Sequence, residues 1–232
     1  MLAISPYDAS VTAVPLDLDS SAPTSLADKA YVAIRDRLIM LAIPPGDPID
    51  DDALAQDLGV GRTPVREALK RLEVDRLVVS YPRRGTFATG MDISDLAHIS
   101  EIRAQLEPLA ARRAAERAAR TAQPELEELA ARIEELNVAH VDPDELMRWD
   151  LAVHRAIYRA AGNPYLEDVL IRYDNLATRI FCLFLERLPS VDEHVREHVD
   201  LLRAIAAGDA DRADGLAREH VVGFERAIRA VI

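Results

Sequence analysis

The chain has 232 residues, a formal net charge of −12, 49% hydrophobic residues and a single cysteine. That length allows one or two domains with their own cores; no apolar run approaches the ~20 residues a membrane helix needs, and one cysteine excludes an intrachain disulfide. The acidity is unevenly placed, with three acids and no Lys or Arg in residues 1–25, ten of each sign in 26–90, and eighteen basic against twenty-seven acidic residues in 91–232, so it does not exclude a nucleic-acid partner.

Residues 1–25 mix Ser, Thr, Pro, Ala and Asp without periodicity and read as a mobile tail. They lack a basic flank followed by an apolar core, so no export signal is expected; Cys182, among apolar neighbours, fits a core position in a reducing cytoplasm. A first helix is expected over Leu26–Leu41, with Ala30, Ile34, Leu38 and Leu41 on one face, stopped by Pro44-Pro45-Gly46. A second, over Ile49–Leu58, places Asp50, Asp51 and Asp52 at its positive N-terminus, and Leu58-Gly59-Val60 forms a tight turn.

The next helix is expected to start at Thr63-Pro64 and run to about Arg76, with Thr63 capping free N–H groups. Val65, Ala68, Leu69 and Leu72 make its apolar stripe, while Arg62, Arg66, Lys70 and Arg71 crowd the start and outer side. A DNA-recognition helix has this pattern, and so does a solvated amphipathic helix. Val78–Tyr81 and Thr86–Thr89 then read as two strands around Pro82-Arg83-Arg84-Gly85, a hairpin whose Arg83 and Arg84 suit phosphate or minor-groove contact. Helix, helix-turn-helix and basic hairpin describe a winged-helix domain over residues 26–90.

Residues 91–232 contain no convincing strand. Helical patterns run over 92–119, with Pro108 kinking or breaking the first, then 123–138, 143–161, 164–187, 190–207 and 209–231. The expected fold class is mainly α: a winged helix-turn-helix of three helices and a two-stranded wing, followed by an all-α antiparallel bundle.

Within the bundle, Asp150 and His154 are four residues apart on one helix, and His198 and His220 lie on the last two. Three imidazoles and a carboxylate suit a divalent transition metal, with Zn, Ni, Mn or Fe all chemically possible and room for a bidentate small carboxylate. Hydrogen-bonded core histidines would give the same spacing. A competing pattern, His194-Val195-Arg196-Glu197-His198, matches H-x-x-E-H, in which two histidines bind zinc and the glutamate is general base of a metal-dependent hydrolase. Only thirty-four residues follow His198, few for the rest of a peptidase. No Ser/His/Asp motif or P-loop is visible, and no catalytic residue is assigned.

With these residues in hand, the chain resembles the GntR family of bacterial transcription regulators, in the subgroup with an all-helical FCD (FadR-type C-terminal) domain. The resemblance rests on L-G-V-G-R-T-P-V-R-E-A-L at Leu58–Leu69, D-x-x-x-H at Asp150 and His154, A-G-N-P-Y-L at 161–166, E-H at Glu197-His198, A-A-G-D at 206–209 and E-H at Glu219-His220. It implies base contacts from Arg62 and Arg66, a phosphate contact from Thr63, and minor-groove entry by the wing tip at Arg84 and Gly85. It also implies a metal held by Asp150, His154, His198 and His220, and an arginine, Arg103, beside the pocket to pair with an effector carboxylate. The implied protein is a cytoplasmic homodimer, a repressor in the commoner pattern, that binds double-stranded DNA at a short palindromic operator under control of a small organic acid. Two positions depart from the family: Gly61 replaces a usual serine, and Asp52 stands where many members have a basic residue.

Overall fold

The computed structural model describes residues 25–121, 123–136, 141–188 and 191–232. Its contacts divide the chain into two compact units at Met91/Asp92. Apart from Ser25, the tail expected over residues 1–25 lies outside the described residues.

In the first unit, Ser25 caps α1 (Leu26–Ile39), its side chain accepting from the Asp28 N–H, and Ala30, Ile34 and Leu38 form the buried face. The helix stops short of Leu41, which takes a φ of 57°. A second helix beginning at Ile49 is corrected by the structure. Pro48–Ile49 is instead a short strand, β1, and the Asp50 carboxylate caps α2 (Asp51–Leu58) by accepting from the Asp52 and Ala53 N–H groups. Gly59, at φ 63°, makes the left-handed turn that ends α2, a conformation costly for a side chain with a Cβ.

The following helix, α3, spans Arg62–Val74 with Gly61 at its N-cap and no side-chain cap. The expected Thr63 cap is therefore corrected, because the extended backbone at Gly61 lets the helix begin earlier. Pro64 then falls inside the first turn, where its missing N–H is one of the groups that would have had no intrahelical partner. Val65, Ala68, Leu69 and Leu72 are the buried stripe. Strands β2 (Val78–Tyr81) and β3 (Gly85–Ala88) form the hairpin. The sheet has three strands rather than two, in the order β1-β3-β2 and antiparallel throughout, with Ile49 opposite Thr86 and Val79 opposite Phe87.

Among its described residues the second unit holds α4 (Asp95–Ala118), α5 (Pro124–Glu135), α6 (Pro143–Ala160), α7 (Pro164–Phe184), α8 (Val191–Ala206) and α9 (Ala210–Arg229), with a short 3-10 turn at Leu185–Arg187. The breaks follow local chemistry. Asp142 caps α6 and Asn163 caps α7, each followed by a proline suited to a first helical position, and the Asp209 side chain accepts from Arg212 N–H at the start of α9.

Pro108 does not break α4. It has no N–H to offer the carbonyl of Ala104, and that carbonyl accepts instead from Arg218 Nη1 of α9 at 2.9 Å. α4 packs along α9 and also meets α6, α7 and α8, while α5 packs on α8. Ala110, Ala111, Ala114 and Ala115 of α4 are fully buried, as small residues must be where helices approach closely. Cys182 is half-buried on α7, and burial pushes its thiol up to about 12. No helix among the described residues is long and apolar enough to cross a membrane.

Candidate metal centre and nucleic-acid interface

Asp150 and His154 face inward from α6, one turn apart, and meet His198 of α8 and His220 of α9. One ligand atom from each of the four lies within 4.8 Å of the others, and all four residues are buried. His154 Nε2 is 3.4 Å from His198 Nε2, while Asp150 Oδ1 is 3.8 Å from the first and 3.7 Å from the second. Donors about 2.0–2.2 Å from a shared ion stand roughly 3–4 Å apart, so these separations fit one.

The outer nitrogen of each histidine already has an acceptor. His198 Nδ1 is 3.2 Å from the Val195 carbonyl, and His220 Nδ1 is 3.0 Å from Glu197 Oε2. His154 Nδ1 lies 3.1 Å from the Tyr158 hydroxyl and 3.4 Å from Glu107 Oε2. A proton on each Nδ1 satisfies these acceptors and leaves the Nε2 lone pairs directed inward, the tautomer a metal ligand requires. Inside, by contrast, the buried Asp150 Oδ1 and His220 Nε2 have no hydrogen-bond partner among the described residues. A buried carboxylate oxygen left without a partner is costly, and a cation among these donors would remove that cost.

Burial pushes His154 and His198 down to about 3, and His220 well below its ordinary value, so all three are neutral near pH 7. Burial would raise Asp150, but the surrounding imidazoles of His154, His194 and His198 outweigh it and hold the carboxyl below the usual range. Neutral imidazoles around an ionised carboxylate are the protonation states that bind a divalent transition metal.

Arg103 of α4 lies beside the cluster, fully buried. Its Nε donates to Glu107 Oε1 at 2.5 Å, Nη2 reaches Asp174 Oδ1 at 3.4 Å, and its guanidinium sits 5.0 Å from the centre of the Phe224 ring. Burial pushes Asp174 up to about 8 against the pull of Arg103. Glu107, Tyr158 and Asp174 were not among the residues singled out from the sequence, whereas Glu197 was, as the candidate general base of H-x-x-E-H. Two had a signal, since Glu107 lies four residues after Arg103 and Tyr158 four after His154.

His194 and His198 share a face of α8, as H-x-x-E-H requires. Glu197 does not stand as a free base there, because its Oε2 is the acceptor for His220 Nδ1.

In the first unit, Arg62, Thr63 and Arg66 are exposed on the first turns of α3. Arg62 Nε is 2.8 Å from Asp52 Oδ1, and Arg66 Nε is 2.9 Å from Asp51 Oδ2, so both arginines are held by acids from the start of α2. Arg71 turns away, its Nη1 2.6 Å from Asp28 and its guanidinium 4.1 Å from the centre of the Tyr31 ring. At the wing tip Arg83, Arg84 and Gly85 are exposed. The turn is tight: the Arg84 N–H donates to the Tyr81 carbonyl at 3.0 Å, Arg83 adopts φ 63° and Gly85 φ 98°. Only glycine takes that last angle readily.

The model of the family described as "Bacterial regulatory proteins, gntR family" matches residues 26–88, and that of the FCD domain matches residues 98–223. The chain is 26% identical over 199 residues to the HTH-type transcriptional repressor GlaR of Escherichia coli, covering 83% of this chain and 90% of that one. It is 21% identical over 201 residues to the repressor RspR of the same organism, covering 87% and 88%. Among solved structures, E. coli McbR/YncC superposes with a TM-score of 0.76 at 23% identity, covering 89% of this chain and 98% of the other, which shows a shared fold. GlaR and RspR are both named as HTH-type transcriptional repressors.

Proposed function

The chain belongs to the GntR family of bacterial transcription regulators, in the branch that carries an FCD domain, and from that membership we propose that a small organic acid controls its grip on DNA through a metal centre. Asp150, His154, His198 and His220 hold a divalent transition-metal ion, and the acid's carboxylate binds beside it. The ion supplies a positive, Lewis-acidic point to which a carboxylate adds. Arg103, buried next to the donors, is the side chain assigned to pair with the acid; its fork of N–H groups suits a carboxylate even while Glu107 occupies Nε.

At the other end, α3 enters the major groove, with Arg62 and Arg66 reading base edges, Thr63 on phosphate, and Arg83, Arg84 and Gly85 of the wing at the minor groove. A homodimer with two-fold symmetry matches a short palindromic operator. Residues 26–90 are then the DNA-binding domain and 91–232 the effector-binding and dimerisation domain. The acid acts by population shift: it favours one arrangement of bundle helices and so one spacing of the two DNA-binding domains. As a repressor, the protein leaves its operator when the acid binds.

The observation that carries this reading is the set of four buried donors that converge within 4.8 Å, in which Asp150 Oδ1 and His220 Nε2 accept no hydrogen bond of good geometry among the described residues. Elemental analysis of purified protein, combined with thermal shifts from a panel of small carboxylic acids with and without chelator, tests it. Stoichiometric metal and a chelator-sensitive shift from at least one acid are expected. Acids that stabilise metal-stripped and metal-loaded protein equally would defeat it.

A further inference from the structure

A histidine outside the four-donor set is placed to join it. His194 lies one turn before His198 on the same face of α8 and is 9% exposed. Its Nε2 is buried, has no hydrogen-bond partner among the described residues, and lies 3.3 Å from Asp150 Oδ1, which is itself unpartnered. That separation is shorter than those from Asp150 Oδ1 to His198 and His154, at 3.7 and 3.8 Å. At 3.3 Å a protonated His194 Nε2 can make a long hydrogen bond to Asp150, and a deprotonated one stands with Asp150 Oδ1 as two donors close enough to share one ion.

The other side of the ring differs from those of its neighbours. His154, His198 and His220 each have Nδ1 within 3.2 Å of an oxygen, whereas His194 Nδ1 stands 4.0 Å from Glu197 Oε2, beyond a hydrogen bond. His194 is held instead by stacking, between Phe181 at 5.2 Å and His220 at 4.3 Å between ring centres. It is also the most exposed of the four imidazoles. His194 lacks the outer hydrogen bond that anchors each of the other three rings.

Resting on the metal reading above, we infer that His194 is a fifth protein donor which yields its position to the effector carboxylate. The exchange breaks one metal–nitrogen bond and forms one metal–oxygen bond. Imidazole leaves neutral, the carboxylate arrives with its charge, and nothing is oxidised or reduced. Movement of His194 on α8 is then the first displacement that effector binding imposes on the bundle, at the helix that also carries His198. The H-x-x-E-H segment thereby has a use without hydrolysis: one histidine is a permanent ligand, the other a displaceable one, and Glu197 orients His220.

The test loads the full-length protein with Co²⁺ and counts the exchangeable, hyperfine-shifted imidazole N–H signals in the proton NMR spectrum, with acetate as the probe carboxylate. The wild type should show four such signals without acetate and three at saturation. His194→Phe, which keeps the stacking, should bind cobalt, show three signals throughout, and bind acetate about tenfold more tightly because no internal ligand has to be displaced. Three signals in acetate-free wild type, or four that persist with acetate bound, would overturn the inference while leaving the four-ligand centre intact. Failure of the wild type to bind cobalt would overturn the metal reading and this inference with it.

Discussion

Arg62 Nε and Asp52 Oδ1 are 2.8 Å apart at the mouth of the helix-turn-helix, joining the first residue of α3 to the first turn of α2. Both side chains are more than half exposed, at 56% and 65%, so the pair is worth about 0.2–1 kcal/mol. Its effect on DNA is larger in kind than in energy. An acid beside α3 holds an arginine and, with α3 in the groove as proposed, would repel phosphate. Asp52→Asn should strengthen binding by about 1.4- to fivefold, the factor equivalent to releasing that pair, with the gain greatest at low salt. Band-shift titrations at two salt concentrations check this, and equal affinities for variant and wild type would show that Asp52 is already out of the way in the complex.

The arginines are predicted to differ from the acid in what they change. Arg62→Ala and Arg66→Ala should each weaken operator binding by about 1–3 kcal/mol while altering non-specific binding little, if each reads a base with a two-pronged hydrogen bond. A competition assay with unrelated duplex separates the two effects. Loss of affinity that is equal on operator and on unrelated DNA would reassign the residue to phosphate contact.

The parts legible in the sequence were those written in local signals. Proline, glycine and capping side chains mark the starts of α6, α7 and α9 within the residues expected. The apolar stripe Val65, Ala68, Leu69 and Leu72 is buried as its spacing predicts. β1 was hidden because a two-residue strand has no periodicity, and Ile49 belongs to the sheet only through Thr86, thirty-seven positions away. The continuity of α4 through Pro108 depends on Arg218 from the last helix. At the site, Asp150 and His154 were a visible pair, but their meeting with His198 and His220 depends on how three helices rotate about their axes. Likewise Asp51 and Asp52 read as partners of their own helix dipole, and their grip on Arg66 and Arg62 appears only once the turn at Gly59 folds the two helices together.

Glu197 accepts from His220 Nδ1 at 3.0 Å while remaining 55% exposed, so it can be removed without emptying the core. Glu197→Ala is expected to leave the fold intact and to weaken metal binding about 10- to 100-fold, the usual cost of losing the carboxylate that orients a ligand histidine. His198→Ala and His220→Ala should each abolish stoichiometric metal. Competition with a chromophoric chelator gives the affinities, and elemental analysis the stoichiometry. Unchanged affinity in Glu197→Ala would mean that His220 does not need its acceptor.

The histidines also set a pH dependence whose sign can be worked out. In the metal-stripped protein, His154 and His198 titrate at about 3 when folded, against an ordinary value of 6.5. Above about pH 6.5 both states are neutral and these groups contribute no slope. Between about 6.5 and 3 the unfolded chain takes up protons that the folded protein refuses, so stability falls as pH falls, by up to about 1.4 kcal/mol per pH unit for each group. Trp149, the one tryptophan, is buried on α6 beside Asp150, and its fluorescence reports unfolding of the bundle. Asp174, raised to about 8, opposes this fall because the folded protein takes up its proton first, while His220, held well below its ordinary value, adds to the fall. With three imidazoles against one carboxyl, urea midpoints should stay nearly level from pH 7.5 to 6.5 and drop from 6.5 to 5.5. His198→Gln should flatten that fall by one group's share, because the variant has one fewer proton to exclude. If the midpoint is the same at pH 5.5 as at 7.5, or if His198→Gln follows the wild-type curve, the imidazoles are not held neutral by burial.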